Sequence, residues 1–182
     1  MKGKQMNKNL LKLGGISGAI LVLLMYITMP FMGNEISFEI AETLGYLTMI
    51  LALAPTIYVG IKSQRDSNGS GEITLASGFK NGLFITLVAS IIYTTGWMAY
   101  LHTADTDFME TFYEQTIEDL KNSDQSEEEI AEQITQMEDF KELYKNPFIQ
   151  IGVTFLEIFP VGLLISLIAA AILRKQPNLQ SS

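Results

Sequence analysis

The sequence predicts an all-α integral membrane protein: a four-helix bundle with an acidic, extracytoplasmic helical hairpin between its third and fourth spans. Three observations lead there. Charge is segregated along the chain, Lys and Arg crowd alternate loops, and the one long acidic loop keeps a helical apolar period. Averages over the 182 residues hide this, at 48% hydrophobic, 18% charged and a net charge of −8. Four windows, Leu13–Met32, Thr43–Ile61, Asn81–Leu101 and Phe148–Leu173, together hold 86 residues and one charge, Glu157. The other 96 residues hold 31 of the 32 charges. A surface helix of a soluble domain shows a polar face, whereas crossing hydrocarbon takes about 20 mostly apolar residues. Residues 1–182 therefore read as one membrane domain.

The first span, about 13–32, follows Lys2, Lys4, Lys8 and Lys12, an arrangement superficially like a secretory signal. Its apolar run is longer than a usual signal core and no small-x-small cleavage site follows, so it reads as an uncleaved signal anchor. The loop to the second span, 43–61, has Glu35, Glu39 and Glu42 but no Lys or Arg. The next loop carries Lys62, Arg65 and Lys80 around the turn-rich tract Ser67–Gly71. That tract lacks the Gly-Lys-Ser/Thr ending of a phosphate-binding loop. Thr74 is the expected cap of the third helix, whose span is 81–101. After the fourth span, 148–173, come Arg174 and Lys175. Alternating sides gives nine basic residues inside against three outside. Both termini are then cytoplasmic by the positive-inside rule.

The loop 102–147 is more than a linker. It holds 14 acidic and three basic residues, a net of −11, which leaves the rest of the chain at +3. Phe108, Phe112, Ile117 and Leu120 mark one helical face, and Ile130, Ile134, Met137, Leu143 and Tyr144 another. Ser126-Glu-Glu-Glu129 is a capping-box pattern that starts the second helix. Asn146-Pro147 ends it and opens the fourth span.

Composition excludes several chemistries. Without cysteine there is no disulfide, iron–sulfur cluster or thiol catalysis. The acidic balance excludes a basic nucleic-acid binder. No His-Glu-x-x-His, Ser/His/Asp set or Gly-x-Ser-x-Gly is present, so no catalytic residue is assigned and an enzyme is not expected. The lone His102, near Asp105, Asp107 and Glu110, is a weak ligand set, and neither metal nor cofactor is expected. Tyr93, Trp97 and Tyr100 read as an interfacial aromatic belt.

Glu157, the only ionisable residue inside a span, is the leading candidate for a functional group. Tyr93, Thr94 and Thr95 lie at a similar depth on the third span and could hydrogen-bond it. Two readings stand: a proton or cation site in a cavity, helped by Pro160 one turn on, or a carboxyl that ties two helices together. The second is preferred, because a lone carboxylate without a paired cation makes a poor relay. Small residues recur at every fourth position. Gly14 and Gly18 lie on the first span; Gly78 and Gly82 lead through Thr86 and Ser90 to Thr94 on the third; Gly162, Ser166 and Ala170 lie on the fourth. Such stripes serve close helix packing, which is preferred over a polar pathway along Thr86, Ser90 and Thr94. Pro30, Pro55 and Pro160 are expected to kink or end their helices.

Several stretches in order resemble a known family. They are Tyr58-Val-Gly-Ile-Lys62 with Arg65-Asp66, Gly71–Lys80, Ser126–Ile130, and Phe155–Gly162 leading into Ser166–Arg174. They resemble the four-span bacterial membrane proteins grouped as domain of unknown function four-one-nine-nine, common in Bacteroidetes. The resemblance covers nearly the whole chain and departs from the family at Leu75, where a bulky aromatic is usual. It implies a bacterial inner-membrane location and the same topology, and it carries over no activity or site.

Two functions are therefore weighed. The first is a non-enzymatic membrane interaction or assembly module, using its small-residue faces and hairpin to bind a second copy or another envelope protein. It predicts that Glu157→Gln is tolerated and that bulky residues at Gly82 or Gly162 disrupt assembly. The alternative is a small oligomeric transporter or channel subunit whose flux in liposomes is abolished by Glu157→Gln.

Overall fold

The computed structural model describes residues 2–32, 37–103 and 108–175. The order of elements is α1 (Lys2–Thr28), a 3₁₀ turn (Met29–Phe31), α2 (Phe38–Ser67), α3 (Leu75–Thr103), α4 (Phe108–Lys121), α5 (Glu127–Tyr144) and α6 (Pro147–Leu173). Four of these helices, with spans of 24 to 29 residues, are long and apolar enough to cross a membrane. They reach at least the ends of the apolar windows except at one end, where Pro30 in the 3₁₀ turn closes α1 early. Pro55 and Pro160 sit inside α2 and α6 without ending them.

Helix starts follow their capping chemistry. The Thr74 hydroxyl accepts the Ser77 N–H at 3.2 Å, and the Asn146 side chain accepts the Phe148 N–H at 2.9 Å with Pro147 beginning α6. These satisfy backbone donors that have no intrahelical partner.

Packing among the spans is organised by small residues. A Cβ built on Gly14 would lie 2.7 Å from Val88 Cβ, and one on Gly18 2.7 Å from Ile92 Cβ, so α1 runs parallel to α3 in close contact. Antiparallel to α3, α6 makes a reciprocal fit. Ser166 Oγ occupies the space a Cβ on Gly82 would need, at 2.7 Å, while Thr86 Oγ1 crowds the corresponding position of Gly162 at 2.6 Å. Thr86 and Ser166 are hydrogen-bonded at 3.2 Å. Since the Ser166 hydroxyl already donates to the Gly162 carbonyl at 2.7 Å, Thr86 is the donor between them. One turn inward, Gly78 faces Ala170 Cβ at 3.1 Å.

The Ser17 hydroxyl joins α1 to α2, 2.5 Å from Thr56 Oγ1 and 3.2 Å from the Ala52 carbonyl. Both α2 and α3 contact every other span, whereas α1 and α6 make no extended contact with each other. The section is thus a rhombus with α2 and α3 on its short diagonal. There Leu53, Ile57, Ile61 and Ile85 are fully buried, with Ile158 from α6. At the end bearing Arg174, Ile73 and Lys175 exchange backbone hydrogen bonds of 3.2 and 3.0 Å, tying the α2–α3 loop to the chain after α6.

In the insert, α4 packs against α5. The Tyr113 hydroxyl donates to Glu138 at 2.9 Å. Lys141 pairs with Glu110, and its ammonium sits 4.4 Å from the Tyr113 ring centroid. Ser126 and Glu129 form a complete capping box. The Ser126 backbone N–H, bonded to the Glu129 carboxylate, holds that carboxyl below the usual glutamate range. A depressed folded value means that the cap's contribution is complete above the unfolded pKa of about 4.3 and is lost as pH falls through the folded value. Amide protection in the first turn of α5, taken relative to the intrinsic exchange rate at each pH, should therefore fall below about pH 4. Glu129→Gln should flatten that dependence, and equal pH profiles for the two proteins would contradict it.

Candidate functional site

The most constrained polar constellation lies where α5 meets the bundle. On α6 the inward stripe is Thr154, Ile158, Gly162, Ser166 and Ala170, all buried. On α3 it is Gly78, Gly82, Thr86, Ser90 and Thr94, continuing round to Tyr93, Trp97 and Tyr100. At the end of this seam the Trp97 indole N–H donates to the Tyr144 hydroxyl at 2.7 Å, in a buried bond between α3 and α5. Trp97 stacks on Tyr100 with centroids 5.9 Å apart, and Tyr26 of α1 meets Tyr100 edge-on at 5.2 Å. Thr154 lies beside Tyr144, its own hydroxyl donating to the Gln150 carbonyl at 2.8 Å. Burial pushes the Tyr144 hydroxyl above the ordinary phenol range, against the hydrogen bond from Trp97. It stays neutral and holds the hairpin as a fixed peg.

The belt expected of Tyr93, Trp97 and Tyr100 is not what forms. All three are 7–9% exposed and face the interior, because a buried indole N–H needs a partner and Tyr144 supplies one. Tyr144, read from sequence only as part of an apolar face, is the residue that sequence reasoning missed. The available signal was the single Trp of the chain on an otherwise small-residue helix face.

Outside this peg, a groove of about 760 Å³ runs between the hairpin and the start of α6, lined by Glu110, Tyr113, Glu138, Lys141 and Gln150 among others. A smaller cavity of about 60 Å³ lies between α1 and α2, walled by Met25, Met29, Met49 and Tyr93. Neither is lined by Glu157.

Of the polar group expected around Glu157, only Tyr93 comes near it. Glu157 is exposed on the flank of α6, one residue and hence about 100° round from the buried Ile158. The Gly82–Ser166 and Thr86–Gly162 contacts set the antiparallel register, which carries Thr94 level with Thr154 and leaves Glu157 about one turn further along the bundle. The Thr95 hydroxyl is exposed and donates to the Ile91 carbonyl at 2.7 Å. The hydroxyls of Ser90 and Thr94 are buried without a hydrogen-bond partner among the described residues. Around Glu157, the groups near enough to act electrostatically are Glu42 of α2 and the hydroxyls of Tyr93 and Tyr144.

The ring of His102 is hydrogen-bonded through Nδ1 to the Met98 carbonyl at 2.7 Å. Its expected neighbours Asp105 and Asp107 lie outside the described residues. Among the described residues no three His, Asp or Glu side chains converge as a metal site would require. Chemically, the arrangement offers carboxylates, two lysines and neutral hydroxyls, which can recognise charge.

The family described as "Protein of unknown function (DUF4199)" matches residues 12–175. No curated protein matches the chain, and no solved structure does.

Proposed function

The chain belongs to the DUF4199 family, and from that premise we propose that it is a non-enzymatic, multi-pass interaction module of the bacterial cytoplasmic membrane. Its docking element is the acidic helical pair α4–α5, carried outside, with both termini in the cytoplasm. The observation that carries this reading is the buried Trp97–Tyr144 hydrogen bond, which seats α5 on the bundle so that its acidic face is presented at a set place. The small-residue faces are engaged within the bundle itself, so they are not the surface a partner would meet. The loop net charge of −11 suits a basic protein surface outside the membrane. The distribution of Lys and Arg supports the orientation.

Cross-linking and co-purification from native membranes tests the proposal. The wild type is compared with a variant in which the exposed Glu128, Glu132 and Asp139 become amides. The expected result is loss of the cross-linked species in the variant while Trp97 fluorescence is unchanged. Recovery of the same species by both proteins would remove the hairpin from consideration. The alternative reading, a small oligomeric transporter or channel subunit, draws on the placing of Glu157 within a span. A proton- or ion-dependent flux in liposomes that Glu157→Gln abolishes would establish it instead.

A further inference from the structure

Glu157 lies 17 residues before Arg174, about 25 Å along a helix rising 1.5 Å per residue. With Arg174 at one edge of a hydrocarbon layer about 30 Å thick, Glu157 sits within that layer, roughly 5 Å from the opposite edge. Its side chain is exposed on the outer surface of the bundle, among Val153, Leu156 and Leu164, which are 39%, 67% and 58% exposed. A carboxylate on such an apolar flank is costly unless paired. A second exposed carboxylate, Glu42 of α2, lies close enough to act on it electrostatically. Among the described residues no Lys, Arg or His forms an ion pair with either. Tyr93, only 9% exposed, reaches the same place with a hydroxyl close enough to couple to Glu157. No hydrogen bond of that hydroxyl to another described group is formed. Two exposed carboxylates on this flank, with the buried Tyr93 hydroxyl behind them, thus have no cationic partner among the described residues.

We propose that the α2–α6 flank, with Glu157 at its centre and Glu42 and Tyr93 beside it, docks a partner transmembrane helix bearing one Lys or Arg near its outer end. Charge complementarity selects that occupant over a second copy. The four apolar windows of this chain contain no Lys, Arg or His, so a second copy has no cation to offer at this depth. The surface is separate from the acidic hairpin and holds whether or not the hairpin binds anything. It gives Glu157 a recognition role that a helix-tying carboxyl would not have.

The experiment uses the full chain in lipid nanodiscs, labelled through Ser70→Cys in the exposed α2–α3 loop. With no native cysteine, that label is unique. The probe is a polyleucine transmembrane peptide carrying one lysine in its outer third, and energy transfer reports association. The lysine peptide should bind at least about tenfold more tightly than its all-leucine counterpart, a difference near 1.4 kcal/mol. Glu157→Gln should reduce binding to the all-leucine level, and Glu42→Gln should weaken it by a few fold. Lysine and leucine peptides binding alike, or unchanged binding by Glu157→Gln, would overturn the proposal. So would self-association of the chain that Glu157→Gln abolishes, because the occupant would then be a second copy. Unaltered circular dichroism and Trp97 emission of the variants show that the bundle is intact.

Discussion

Gly162→Val should destabilise the bundle by about 3 kcal/mol, the upper part of the range for overpacking a close-packed contact. Thr86 Oγ1 already stands 2.6 Å from where a Cβ on residue 162 would be. Relief by a rotamer change is blocked, because Thr86 is fully buried and hydrogen-bonded to Ser166. The cost must therefore be met by parting α3 from α6, which also opens the fit of Ser166 against Gly82. Thermal unfolding in detergent followed by Trp97 fluorescence would read this as a lowered midpoint and a less monodisperse protein. Adding Thr86→Ala should recover part of the loss in a Gly162→Ala background, since only Thr86 Cβ, 3.0 Å away, then remains in conflict. Additive single and double effects would show that the two residues do not meet.

Tyr144→Phe should cost about 1–3 kcal/mol at the hairpin, since it removes the hydroxyl that accepts the buried indole N–H. The effect should be local. Trp97 emission changes and proteolysis between α4 and α5 accelerates as α5 leaves its seat, while the spans persist. Tyr144→Ala should go further by adding a cavity under Trp97. In a Trp97→Phe background the hydroxyl has lost its donor, and Tyr144→Phe should then be nearly silent. If Tyr144→Phe alters neither emission nor cleavage, the hairpin is held by something other than this bond.

Much of the architecture was legible because it rests on one-dimensional signals. Loss of charge over about 20 residues marks a span whatever surrounds it. The caps at Thr74, Ser126 and Asn146 were readable because each acts on backbone within three residues of itself. Gly14, Gly18, Gly82 and Gly162 could be read as sites of close approach, but not as to what approaches. A small-residue stripe looks alike whether it meets its own bundle or another chain. Which way Glu157, Trp97 and Tyr100 face was hidden for the same reason. A span that is apolar all round carries no moment to orient it, so depth could be counted while azimuth could not. Trp97 points inward because a residue 47 positions away waits there with a hydroxyl. No local pattern encodes that.

The α3–α6 seam has a consequence for how the chain is made. Thr86, Ser90 and Thr94 are covered by a helix that emerges only after the 46-residue insert. At about 5–20 residues per second, translation leaves that hydroxyl stripe without its cover for several seconds. Until α6 is made, the face of α3 that carries these hydroxyls has no partner helix, so the Thr86–Ser166 bond and the Gly82 and Gly162 contacts are necessarily the last of the bundle to form.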